Sequence, residues 1–193
     1  MQKLKFLIFA NFCLYLTACV SYSSQQPQKL SFNIPQSIKF DGQEYIKSNH
    51  SRLEGMEHIV YLPHNKKINT KNWQQAIFIF LDNIVEVRPA ISLEERIHIR
   101  QNVYKSQHKI LADLIINNAE LQSKIISPPT EREHNILLEV SRGRNSQCGF
   151  GEIQYAIKRL DFAKNLPNVT AYKKEIIKLA DRFKQLDWQI LCK

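Results

Sequence analysis

The chain has 193 residues, 44% of them hydrophobic, and a formal net charge of +9. That size is comfortable for one domain with a real core and tight for two. A basic excess points to an anionic partner (headgroups, an acidic polymer, nucleic acid) or simply keeps the protein soluble, and no basic stripe with interleaved aromatics singles out nucleic acid.

The first stretch is a short basic head, Met1 to Lys5, followed by an apolar run from Phe6 to Leu16 and then Thr17-Ala18-Cys19. A charged head, an apolar middle and small residues before a cut site read as a secretory signal. The run is too short for a membrane span, which needs about 20 residues. The ending Leu16-Thr17-Ala18-Cys19 resembles the lipobox of bacterial lipoproteins. The resemblance implies cleavage after residue 18, a covalent lipid on Cys19 and no other cofactor. It also implies a tether across 19–30 and one periplasmic or surface domain across 31–193. Val20 after the lipidated cysteine implies sorting to the outer membrane, with the periplasmic face expected before the cell surface. Loss of Lys3 and Lys5 with the signal leaves about +7 on the mature part. Export removes nucleic acid from the expected partners; membrane, an anionic envelope component and an envelope protein remain.

Past the polar tether with Pro27, a strand-like pattern begins at Ser31. Phe32, Ile34, Ile38 and Phe40 lead to Asp41-Gly42, a hairpin signal, and Glu44 to Lys47 return. Met56 to Leu62 is a further β-rich run, stopped by Pro63, and a basic loop carrying Lys66, Lys67 and Lys71 follows. Ala76 to Leu81 is a continuous apolar run that predicts a strand buried on both faces. Ser92-Leu93-Glu94-Glu95 has the form of a capping box. Leu93, Ile97, Tyr104, Leu111 and Ile115 then fall at helical spacing, which predicts a helix of about 25 residues ending at Asn117-Asn118.

Pro128-Pro129 break the chain. Two strand-like runs, Asn135 to Ser141 and Glu152 to Leu160, flank a glycine-containing link expected to be a loop or a bulged hairpin. In the second run Ile153, Tyr155 and Ile157 alternate with Gln154, Ala156 and Lys158, a one-sided strand. Thr170 is a candidate N-cap for a last helix, whose stripe runs Tyr172, Ile176, Leu179, Phe183, Leu186, Ile190. This order predicts an α+β domain: a mainly antiparallel sheet with two long helices packed on one face. By element order alone it is loosely similar to the Mog1/PsbP-like fold.

Four cysteines sort by compartment. Cys13 leaves with the signal, Cys19 takes lipid, and Cys148 and Cys192 form the simplest disulfide of an exported chain. The competing reading makes Cys148 a nucleophile with His134 as base. None of the six histidines, His50, His58, His64, His98, His108 and His134, stands in a metal-binding spacing. Arg142, Arg144, Lys158 and Arg159 around the glycine link, with the three loop lysines, are candidate contacts for an anionic ligand or merely solvated charges. The sequence thus predicts a non-enzymatic binding or assembly lipoprotein. An envelope hydrolase built on Cys148 or a histidine, and a surface adhesin or inhibitor, are the alternatives.

Overall fold

The computed structural model describes residues 30–64, 72–84, 90–107, 109–131, 134–159 and 169–193. The lipobox, the greater part of the tether, His108 and the loop lysines Lys66, Lys67 and Lys71 lie outside the described residues. Among those described, no helix is long and apolar enough to cross a membrane.

Among the described residues ten strands form: β1 Phe32–Asn33, β2 Ser37–Phe40, β3 Gln43–Leu53, β4 Met56–Pro63, β5 Gln75–Asn83, β6 Leu111–Asn117, β7 Glu120–Ser127, β8 Ile136–Ser146, β9 Gly149–Arg159 and β10 Leu191–Cys192. Two helices accompany them among the same residues, α1 Leu93–Ser106 and α2 Val169–Phe183. Eight strands make one antiparallel sheet in the order β2-β3-β4-β5-β9-β8-β7-β6, curled as a half-barrel. It consists of two meanders, β2 to β5 and β6 to β9, joined where β5 pairs with β9. β1 and β10 form a separate two-stranded ribbon.

Tight turns set these pairings. Asp41-Gly42 (φ 51° and 74°), Glu54-Gly55 (47° and 86°) and Asn118-Ala119 (51° and 57°) each hold both central residues at positive φ. That is the primed turn whose twist matches the twist of the flanking strands. Register is therefore fixed locally, and Phe40 faces Gln43 just as Asn117 faces Glu120.

The fold is mostly antiparallel β, which corrects the predicted α+β architecture with two long helices on one face. α1 has 14 residues, ending at Ser106, and the expected second half of that helix is β6. Lys109, at φ 76°, turns the chain out of the helix, and the Leu-Ile-Ile run beyond it packs better on a pleated surface than on a helix. α2 has 15 residues and already includes Thr170, so Thr170 is not its cap, and Leu186 and Ile190 follow the helix rather than extend it. The helices also sit on opposite faces. α2 and the segment after it cover one side, where Phe183 lies 6.4 Å from Tyr155, ring to ring, and Ile176, Leu179 and Ile190 join Ile59, Tyr61, Ile77, Ile79 and Ile153 in the core. α1 covers the other, where Leu93 and Ile97 pack with Leu121 and Phe150. Phe150 and Tyr155 are five apart on one continuous strand, so they point to opposite sides.

The link between β8 and β9 is correspondingly short. Arg142, Gly143 and Arg144 belong to β8, and only Gln147 and Cys148 turn the chain. Gly143 is required by packing: a Cβ there would overlap the ring of Phe150, which lies against that bare backbone.

Candidate functional site

The α1 face of the sheet is not filled. A cleft of ≈ 650 Å³ runs between α1 and the β3–β4 hairpin, floored by β5, β7 and β9. Leu53 and Met56, at the tip of that hairpin, and Phe80 on β5 line it while exposed to solvent. Ile125 and Phe150 continue the apolar lining inward. Its size is that of sites for small molecules.

Alternation along the strands places these groups. On β5 the residues Ile77, Ile79 and Leu81 go to the core, and Ala76, Phe78 and Phe80 go to the α1 side. The predicted two-faced burial of this strand therefore stops at Phe80. On β4, His58 stands opposite Phe80 and stacks on it at 4.7 Å, with the Phe78 ring 5.6 Å away, so that the three rings form one cluster. Burial holds His58 below the usual histidine pKa, so it is a neutral aromatic wall at pH 7.

α1 supplies the polar wall. Ser92 caps it: its Oγ accepts from the Glu95 N–H at 3.1 Å, and Arg96 N–H donates to the Ser92 carbonyl. From this start, Arg96, Arg100 and Tyr104 recur every fourth residue on one side. Arg96 donates to Asp82 at 2.7 Å and lies 4.1 Å over the Phe150 ring. Arg100 forks onto both carboxylate oxygens of Glu152, which is 3% exposed. Both arginines are thus neutralised by the sheet below them. At the outer rim, burial pushes Glu57 up, but hydrogen bonds from His50, Asn83 and Arg52 outweigh it and hold this carboxyl below its ordinary value.

One acid behaves differently. Glu139 on β8 is pushed up to about 7 by burial, opposed by a hydrogen bond from Gln154 Nε2 and reinforced by the charge of Glu152. At neutral pH it is close to half protonated. The cleft consequently carries charges in cancelling pairs, and next to it, bonded to Gln154 of its lining, is an acid that ionises reluctantly. Among the described residues no group of histidine, cysteine and carboxylate side chains could hold a metal ion.

The candidate residues from the sequence do not meet here. Arg142 points to the α2 side, 8% exposed, bonded to Glu120 and donating through Nη1 to the carbonyls of Phe183, Lys184 and Leu186. It closes the C-terminal end of α2 and is unavailable to a ligand. Arg144 shares Glu120 at 2.7 Å and lies 4.5 Å over the Trp188 ring, and Arg159 pairs with Glu175. Lys158 lies over the Trp73 ring at 4.6 Å, on the other face from Arg159. The four form no joint anion site; three of them are internal ties. Cys148 is bonded to Cys192, with Cα atoms 5.6 Å apart, so it offers no thiol nucleophile.

The residues that do meet in the cleft come from β3, β4, β5, α1, β7 and β9. The one local signal was Arg96, Arg100 and Tyr104 at four-residue spacing on the helix side flanking Leu93 and Ile97. A protein-family model matches residues 32–188, which spans the sheet, both helices and the cleft. No curated protein matches the chain.

Proposed function

We propose, for a chain that belongs to the family matched over residues 32–188, a lipid-anchored envelope lipoprotein that binds a small, uncharged and largely apolar ligand without transforming it. The observation that carries the binding role is the ≈ 650 Å³ cleft, whose exposed Leu53, Met56 and Phe80 surround charges already cancelled in pairs. Apolar side chains held open to water around a concavity favour an occupant that removes them from water. A ligand of either charge would find no unpaired counter-ion there and would lose its hydration shell. The hydrolase reading through Cys148 loses its nucleophile to the disulfide. The anchor rests on the lipobox resemblance at Leu16-Thr17-Ala18-Cys19, with outer-membrane sorting from Val20. The ≈ 11-residue polar stretch after it reaches ~35–40 Å when extended, enough to let the domain work clear of the headgroups.

Binding is tested with a fluorescent pair: neutral 1-aminoanthracene and anionic 1-anilinonaphthalene-8-sulfonate. The neutral probe is expected to bind more tightly, and Met56→Asp to weaken it about tenfold or more, since burying one such side chain is worth ~1.5–3 kcal/mol. Equal binding of both probes, or a Met56→Asp protein that binds as before, defeats the cleft. The anchor is read separately, by palmitate labelling in cells. Wild type should take label and Cys19→Ser none; an unlabelled wild type defeats the lipoprotein.

A further inference from the structure

The two edges of the eight-stranded sheet are built differently. β2 is a four-residue strand with Lys39 at its centre and Pro35 just before it, the features that keep an edge from pairing. β6 is seven residues long, free of proline and lysine, and apolar on both sides, with Leu111 and Ile115 exposed on one face and Ile116 on the other. Its single charge, Asp113, is neutralised by Lys124 at 2.7 Å. Among the described residues no backbone hydrogen bond reaches its outer edge.

We infer that this edge is an interface and that its occupant is β6 of a second copy, paired antiparallel about a two-fold axis at Leu114. Hydrogen-bond parity, charge and the length of strand overlapped together select that register. The two-residue turn at Asn118-Ala119 makes Asn117 and Glu120 a hydrogen-bonded pair, so Asn117, Ile115, Asp113 and Leu111 direct their backbone groups to β7. Ala112, Leu114 and Ile116 then direct theirs outward. A two-fold axis at Leu114 sets Ala112 of one copy opposite Ile116 of the other and Leu114 opposite Leu114. Every outward group gains a partner, and all seven residues pair. An axis at Asp113 would also satisfy the parity but sets two carboxylates face to face, and like charges directly opposite are destabilising. An axis at Ile115 satisfies the parity too, but pairs only residues 113–117 and leaves Leu111 and Ala112 without partners on the strand. On the α2 side, exposed Ile177 stands beside the groove lined by Leu111 and Ile126, which extends the apolar surface a second copy would cover. The product is one continuous sheet across both copies, with a cleft on each.

Full-length protein in detergent is assayed by sedimentation and by oxidative cross-linking. A dimer is expected, and Ala112→Cys with Ile116→Cys should give a disulfide-linked dimer. Either cysteine alone should not, because like residues then lie four positions apart, ~13 Å along the strand. The unsubstituted chain controls for bonds through Cys13 or Cys19. Ala112→Lys with Ile116→Lys, which sets lysines opposite one another only in the dimer, should leave a folded monomer by circular dichroism. A wild type that sediments as a monomer, a dimer that survives the two lysines, or cross-linking of a single variant as strong as the pair overturns the inference.

Discussion

Glu139, bonded to Gln154 beside the cleft, is where one residue's environment decides its own charge. Its folded pKa of about 7 stands above the ordinary glutamate value because burial penalises the ionised form, although Gln154 partly relieves it. The folded state therefore holds a proton that the unfolded state releases. Stability from this group is fully present below the unfolded pKa of about 4.3 and is lost as pH rises through 7. The loss amounts to roughly 3 kcal/mol. Glu57 and Glu120 run the other way: hydrogen bonds and charge from their partners, outweighing burial, hold them low, and their contribution is lost as pH falls. The informative quantity is thus a difference between two proteins. Glu139→Gln keeps the shape and can still accept from Gln154, but cannot ionise. Urea unfolding should find the variant gaining on wild type as pH goes from 5 to 8; parallel pH profiles would show that Glu139 titrates normally. The same scale shows why the sequence hid the site. Glu152 and Gln154 alternate with Ile153 and Tyr155, a pattern that reads as solvent side against core side. In the fold the polar residues face the cleft and Glu152 is buried under Arg100.

Among the elements, α1 was the most legible at its start and the least at its end. Its Ser92 cap is local chemistry, readable from four residues. Its C-terminus was obscured because Leu111 and Ile115 stand four apart, a spacing that puts two side chains on one face of a helix and of an alternating strand alike. The hairpin turn at Asp41-Gly42 and the strands near Met56 and Ala76 were legible for the same local reason as the cap. Gly143, which looked like loop composition, is a strand residue whose missing side chain admits Phe150. That role is set by a residue seven positions away and cannot be read locally. Because α1 is held to the sheet by Leu93, Ile97 and two arginine pairs, its cap has leverage on the cleft wall. Ser92→Ala should cost about 1 kcal/mol and Ser92→Asp almost nothing. Hydrogen exchange should show α1 amides opening in the alanine variant before those of β5 and β9. Equal losses from both variants would remove Ser92 as the cap.

At the scale of the whole molecule, the ends of the folded body depend on one another. Among the described residues β1 pairs with β10 alone, with Phe32 opposite Cys192, and Ser31 and Lys193 exchange backbone hydrogen bonds on the same ribbon. This ribbon stands apart from the large sheet, to which Cys192 is bonded through Cys148 at the tip of the β8–β9 hairpin. That hairpin tip is fastened in turn: the Ile84 N–H donates to the Cys148 carbonyl. The chain runs from β1 straight into β2 of the large sheet, and the disulfide adds a second tie, from β10 to the β8–β9 tip. The bond closes a separation of 44 residues, worth roughly 4 kcal/mol in the chain-entropy model. Cys148→Ser and Cys192→Ser should lower thermal stability equally, and the double variant should be no worse than either, since each removes the same bond. The loss should be uneven in space, with amide exchange rising first in β1 and β10 while β5, β8 and β9 stay protected. Single losses that simply add, or a ribbon that opens no earlier than the central strands, would mean that the disulfide adds no tie between the ribbon and the sheet.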